Sequence, residues 1–392
     1  MKKVLGVLCI LLPLILWVLE PFYYIPFYQP KSPISSVLAF DCEKYTAEQA
    51  QVLQKKSQAL VVQSIANNDF LGVSTGIYQQ DCGHYIGSAG FRSKVSQQPF
   101  THQTVSRIAS VTKPMTAIAI MQLYEQGLLK LDTPISEYFT YLSEQHGGVG
   151  NDITIRHLLT HTSGIAHYQS KLEAVSFTHY ASLNDAAREI LSKQVIAPAG
   201  EKFVYSSYGY SLLGAIIEKV SGLSFEQYLQ KHIWDVAGMS DTRLESTFLT
   251  ENKSRLYIKL GSSFIRSPYS DLSVIASAGG VQSTASDLLK FGQAVLANKL
   301  IASTSLDMMI MVPDSLAQDA GDDPYGFGWS VYNDDKLGRI IAHSGSQPGA
   351  SAYFRVYLDQ KLVVATLSNA FGTKSAAYQL SNRLSHLAFE GY

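Results

Sequence analysis

Apolar and polar positions alternate over residues 71–79 and 84–89, the pattern of two strands, with a turn near Asp81-Cys82-Gly83 between them. Residues 46–67 carry a helical period instead, long enough to pack across a sheet. From Met115 to Tyr124 nearly every position is apolar, which predicts a helix buried on all sides. That helix runs over residues 110–126 and is ended by Gly127. Residues 132–270 read as helices and loops, with helices at 183–193, 210–220 and 225–234, and 284–297 is helical again. Residues 327–332, 339–342, 351–358 and 361–368 read as strands, and 374–388 as a closing helix. Strands at both ends with helices in the middle predict an α/β chain. One antiparallel sheet, completed by N- and C-terminal segments and flanked by helices, would carry an all-helical insertion at about 132–270.

The first 43 residues have another character. Lys2 and Lys3 precede an apolar run over residues 4–19, which Glu20 and an aromatic, proline-rich stretch over 21–30 close. This is the charge placement of an export signal. The run is longer than the roughly 7–15 residues of a cleaved signal and shorter than the roughly 20 of a spanning helix. No small-x-small cleavage site follows nearby, since Val37-Leu38-Ala39 lies too far downstream. The expectation is an uncleaved membrane anchor over residues 1–30, with a cleaved peptide as the alternative and the rest of the chain outside the cytoplasm. Residues 31–43 then form an extended linker, and 44–392 the folded domain. At 392 residues and 46% hydrophobic content the chain buries a sizeable core. A net charge of −1, with no basic run beyond Lys55-Lys56, excludes nucleic acid as the expected partner. Cys42 and Cys82 pair in an oxidising compartment or stay as two buried thiols; neither has an activating neighbour in sequence.

Candidate chemistry lies at the head of the buried helix, in Ser110-Val111-Thr112-Lys113. It is the only Ser-x-x-Lys in the chain. Residues three apart share a helix face, so the Lys113 amine reaches the Ser110 hydroxyl. A serine hydroxyl is a poor attacker without a base in hydrogen-bond reach, and desolvation favours the neutral, basic form of lysine. The helix N-terminus adds a positive field where an oxyanion would form. His157 and His161 stand four apart, a zinc-like spacing, but no glutamate follows His157, so no metal or cofactor is expected.

Two later segments complete a pattern: Tyr205-Ser206-Ser207 and His343-Ser344-Gly345-Ser346, the second lying between two strand-like runs. With Ser110 and Lys113 they resemble the serine β-lactamase and penicillin-binding superfamily, in its class C-like branch. Leu158-Leu159-Thr160-His161-Thr162-Ser163-Gly164, the stretch from Pro198 to Phe203 and the stretch from Ser277 to Thr284 resemble further segments of that family. The resemblance covers roughly residues 60–385 and implies a catalytic cleft between the sheet and the helical part. It implies Ser110 as nucleophile, with Lys113 and Tyr205 sharing the base role and the Tyr205 pKa lowered by a neighbouring cation. The oxyanion would rest on the backbone N–H groups of Ser110 and Ser346, with Ser207, His343 and Gly345 framing the substrate. Gly345 would let substrate approach the strand closely.

Two positions depart from the pattern. His343 stands for a lysine, which would make activity sensitive to pH around the ordinary histidine value of about 6.5. Ser207 stands for an asparagine and offers fewer hydrogen bonds. The implied activity is hydrolysis of a small-molecule or short-peptide amide or ester, with D-amino-acid peptides first, esters next and β-lactams third. The rival is a non-catalytic, self-assembling scaffold, and oligomeric state stays open.

Overall fold

A computed structural model describes residues 32–40, 46–139, 152–168, 175–192, 195–246, 252–312 and 324–389. Seven strands form most of its main sheet: β1 (Ile34–Phe40), β2 (Gly72–Gln79), β3 (Gly83–Ser93), β4 (Ser330–Asp334), β5 (Gly338–Gln347), β6 (Ala350–Tyr357) and β7 (Leu362–Ser368). Their order is β1-β3-β2-β7-β6-β5-β4, and the short strand Gln98–Pro99 pairs with β3. Every neighbouring pair along this path is antiparallel. The join between N- and C-terminal segments is β2 against β7, with Gly76 opposite Ala365. The alternating segments at both ends of the chain thus close one sheet, as their order implied.

Helices cover both faces. On one lie α1 (Ala47–Ala66), opened by a Thr46–Gln49 capping box, and the C-terminal helix Lys374–Phe389. Leu53 and Val61 meet Leu380, Leu384, Tyr353 and Tyr357 there. On the other face lie α2 (Thr112–Glu125) and the helix Ala285–Leu296, with Ile118, Met121, Phe291, Trp329 and Phe354 in one core. Every residue of α2 from Thr112 to Leu123 is buried, which is why its apolar run is unbroken. Each Ile, Leu or Met buried this way contributes roughly 1.5–3 kcal/mol, so the first turn of α2 is held on a rigid base. In the chain between the N- and C-terminal strands, α3 (Leu183–Leu191) and α4 (Ser207–Ser221) pack against each other in the helical part. Numbered in chain order after these, Ala285–Leu296 is α5 and Lys374–Phe389 is α6.

Three expectations change. Residues 34–40, read as linker, form the edge strand β1, with Ile34 opposite Ala89 and Phe40 opposite Gly83. An edge strand exposed on one side needs little apolar alternation, so the sequence signal was weak. The stretch His343–Ser346 is not a connection between strands but part of β5, pairing from His343–Phe354 to Ser346–Ser351. Its small polar residues carry no apolar pattern, and ladder hydrogen bonds extend the strand regardless. The helical insertion also holds the short strands Arg243–Leu244, Tyr257–Leu260 and Ser263–Arg266, formed by tertiary pairing such as Tyr257 with Ala370. The anchor read over residues 1–30 lies outside the described residues, among which no helix is long and apolar enough to cross a membrane.

Candidate active site

Ser110 sits in the tight turn Ala109–Val111 that leads into α2. Ala109 has φ 50°, a left-handed conformation that costs a non-glycine residue about 1–2 kcal/mol. Packing holds it there. Strand β5 crosses directly over the turn, and a Cβ on Gly345 would collide with the Ile108 carbonyl oxygen and press on the Ala109 methyl. Glycine is therefore required so that β5 can lie against the turn bearing Ser110. This contact brings Ser346 beside Ser110, and both line one cavity.

Lys113 is completely buried. Its Nζ lies 3.1 Å from Ser110 Oγ, 3.3 Å from Ser207 Oγ and 2.8 Å from the Ala278 carbonyl oxygen. Thr116 fixes that carbonyl's segment by donating to Ser277 O at 2.6 Å, and Ser277 in turn donates to Tyr210 O at 2.9 Å. No carboxylate pairs with Lys113 among the described residues, and burial pushes its pKa well below the ordinary lysine value. A neutral amine has two N–H groups and one lone pair. The Ala278 carbonyl and the Ser207 hydroxyl take the N–H groups, which leaves the lone pair facing the Ser110 hydroxyl.

Tyr205 and Ser110 line the same cavity, and Lys113 Nζ lies 4.9 Å from the Tyr205 ring centroid. Burial raises the Tyr205 pKa, so the lowering expected from a neighbouring cation is reversed. Burial thus favours the neutral form of both the phenol and the amine. Behind Tyr205 stands His161, fully buried with φ 58°, its ring centroid 4.3 Å from that of Tyr205 and 4.8 Å from that of Tyr325. Its Nδ1 accepts the Ser206 N–H at 3.1 Å. His157 Nδ1 likewise accepts a backbone N–H, from Thr154 at 3.2 Å, so both histidines serve the backbone. No group of three metal-ligating side chains occurs among the described residues.

His343 is locked on both sides. Its Nδ1 lies 2.7 Å from the Ser344 carbonyl oxygen, which only accepts, so Nδ1 carries the proton. Nε2 then accepts from the Tyr325 hydroxyl at 2.9 Å. Burial pushes the His343 pKa down to about 3, so the ring is neutral throughout the physiological range. The pH sensitivity expected of a histidine here is therefore moved far to the acid side.

Ser110, Tyr205, Ser207, His343 and Ser346 line a cavity of about 360 Å³, with Lys113 beneath its floor. The Ser207 N–H donates to His167 Nδ1 at 3.2 Å, and His167 lines the same space. Tyr325, His167 and the Ala278 carbonyl were not found from the sequence. Tyr325 had a readable signal in Tyr325-Gly326-Phe327-Gly328-Trp329, where Gly328 has φ 82° and leaves no room for a side chain beside Ala117 and the Lys113 carbonyl. Cys82 is disulfide-bonded; Cys42, its candidate partner, lies outside the described residues.

Residues 57–388 match the family model described as Beta-lactamase. Over 304 residues, 73% of this chain, the sequence is 30% identical to penicillin-binding protein 4* of Bacillus subtilis (strain 168), covering 65% of that protein. The chain thus spans slightly less than two thirds of this relative's length. The fold is similar to that of the penicillin binding protein from Bacillus halodurans, with TM-score 0.71 and 28% identity over 80% of this chain and 95% of that one. A D-amino acid amidase from Ochrobactrum anthropi SV3, complexed with L-phenylalanine amide, shares the fold at TM-score 0.75 and 21% identity, over 86% and 99% of the two chains.

Proposed function

The chain belongs to the β-lactamase family and carries the site of a serine hydrolase, and from that premise we propose that it cleaves amide bonds of D-amino-acid peptides through an acyl-enzyme on Ser110. The observation that carries this reading is the Ser110 hydroxyl 3.1 Å from a fully buried Lys113 amine, in one cavity with the Tyr205 phenol. As Ser110 Oγ attacks the carbonyl carbon, its proton passes to Lys113 Nζ. The oxyanion is stabilised by the Ser110 and Ser346 N–H groups. Tyr205 relays the proton to the leaving nitrogen, the C–N bond breaks, and water later splits the ester on Ser110. The names of the penicillin-binding relatives and the D-amino acid amidase of the same fold favour a D-configured amide.

Esters are the second reading, favoured by two observations. Ser207 Oγ is engaged by Lys113, and His343 is uncharged, so the cavity offers an amide side chain or a carboxylate little grip there. An ester needs neither. A scaffold without chemistry is disfavoured because every reactive side chain of the site is kept and aligned. Placement outside the cytoplasm, through an N-terminal anchor, is part of this proposal and is supported by the disulfide at Cys82. Mass spectrometry of membrane fractions tests the anchor: an intact Met1 or Lys2 start supports it, and a start beyond residue 30 refutes it.

A panel of D-Ala-D-Ala peptides, short p-nitrophenyl esters and nitrocefin tests the substrate class. Release of D-alanine faster than nitrocefin opening is expected. Ester turnover alone transfers the assignment to an esterase, and no turnover of any of the three by folded protein contradicts the hydrolase.

A further inference from the structure

Residues 353, 355 and 357 of β6 alternate onto the sheet face that α1 and α6 cover, opposite the face packed on α2. There the Arg355 side chain is 7% exposed and stands across the ladder from Ala342. It donates to Asn382 Oδ1 at 2.9 Å, to the Tyr357 hydroxyl at 3.3 Å and to the Tyr353 hydroxyl at 3.4 Å. The rings of Tyr353 and Tyr378 lie 4.8 and 4.7 Å from its guanidinium carbon. All of these partners are neutral, and Nε has no partner at all. Among the described residues no carboxylate pairs with it. Buried charges in proteins are paired, and among the described residues this cation has no counter-ion.

A cavity of about 570 Å³ opens against the same guanidinium, a volume that suits a small organic ligand. Lys374 and His386 of α6 add positive or protonatable groups to its wall. The carboxylate of Asp334 also lines it, but accepts the backbone N–H groups of Lys336 and Leu337 at 2.8 and 2.9 Å. Tyr378, the outer ring over Arg355, is 44% exposed. A cation serving only as an internal pillar would have no such space beside it. Ser330, His343, Ser344 and Lys374 line both this cavity and the one holding Ser110, so the two meet at β5.

We propose that this cavity is an anion site that takes the carboxylate or phosphate of a small organic ligand. The guanidinium supplies the positive charge and the Nη2 N–H left over beside its bond to Tyr353, and the tyrosine rings lie against the carbon skeleton. The anion comes either from a free metabolite or from the distal end of a substrate reaching around β5 from Ser110; the second source rests on the hydrolase reading, the first does not.

Calorimetric titration of the intact protein with citrate, and separately with inorganic phosphate, tests the site without any need for turnover. Saturable citrate binding is expected for the wild type and for Ser110→Ala alike, weakened at least about tenfold in Arg355→Gln. If loss of the buried arginine prevents folding, His386→Glu decides, because this exposed rim position tolerates a charge and should weaken citrate at least about threefold. Paired p-nitrophenyl esters whose acyl chains end in a carboxylate or in an amide separate the sources. A carboxylate preference that citrate abolishes assigns the site to substrate, and citrate binding without such a preference assigns it to a free anion. Absence of binding of both probes at millimolar concentration, or binding that neither substitution weakens, would overturn the proposal.

Discussion

Replacing Lys113 by methionine perturbs the centre of the account and has two separable consequences. The first is chemical: the lone pair facing Ser110 disappears, and acylation should fall by at least about a hundredfold, the scale of general-base catalysis. The second is thermodynamic. An unfolded lysine titrates near 10.4, whereas in the fold burial holds Lys113 well below its ordinary value. Between those two values the unfolded chain binds one proton more than the native protein, so wild-type stability rises with pH. The slope is about 1.4 kcal/mol per pH unit for a single proton. Lys113→Met lacks this contribution. The variant also strips a donor from the Ala278 carbonyl and the Ser207 hydroxyl, at about 1–3 kcal/mol for each buried group left unpaired, but that penalty does not depend on pH. The difference in slope therefore isolates the lysine. Urea unfolding of both proteins at intervals up to about pH 10 should show the stability of the variant relative to the wild type falling by about 1.4 kcal/mol per unit. Parallel curves would mean that Lys113 is charged in the fold, and the proposed base would be lost with its neutral form.

Tyr205→Phe should lower acylation by at least about a hundredfold; a loss below about threefold would remove the phenol from the proton relay. The pH profile of kcat/KM should show no inflection near 6.5 in the wild type, because the His343 pKa lies at about 3. Tyr325→Phe deletes the donor to His343 Nε2, which stabilises the neutral ring, so the histidine titration should move up and add an acid limb to the profile. An unchanged acid side would contradict the lock on His343. Gly345→Ala drives a methyl into the Ile108 carbonyl, should destabilise by about 1–3 kcal/mol, and should displace the Ser346 N–H enough to lower kcat by about a hundredfold. A variant with wild-type kcat would place the oxyanion elsewhere.

Much of this site was readable from spacing alone. Ser110 and Lys113 three apart at the head of an all-apolar run require a buried amine beside a hydroxyl, and α2 provides it. The sheet was readable where alternation is strong, as in β2 and β3. Strand β1 and the polar end of β5 were not, because pairing across the ladder rather than an apolar face decides their conformation. The ionisation states were not readable either. His343 and Tyr205 depart from their expected values because burial disfavours their charged forms, and the rings that help bury them, His161 and Tyr325, are distant in sequence. The Ala278 contribution is a carbonyl oxygen, common to every residue, and so leaves no trace in residue identity.

Intact-mass and peptide mass spectrometry after treatment with a fluorophosphonate tests the activated Ser110 most directly. A single adduct on the peptide containing Ser110, absent in Ser110→Ala and strongly slowed in Lys113→Met, is the expected result. Folded protein that stays unlabelled, or an adduct that persists after Ser110→Ala, would contradict it.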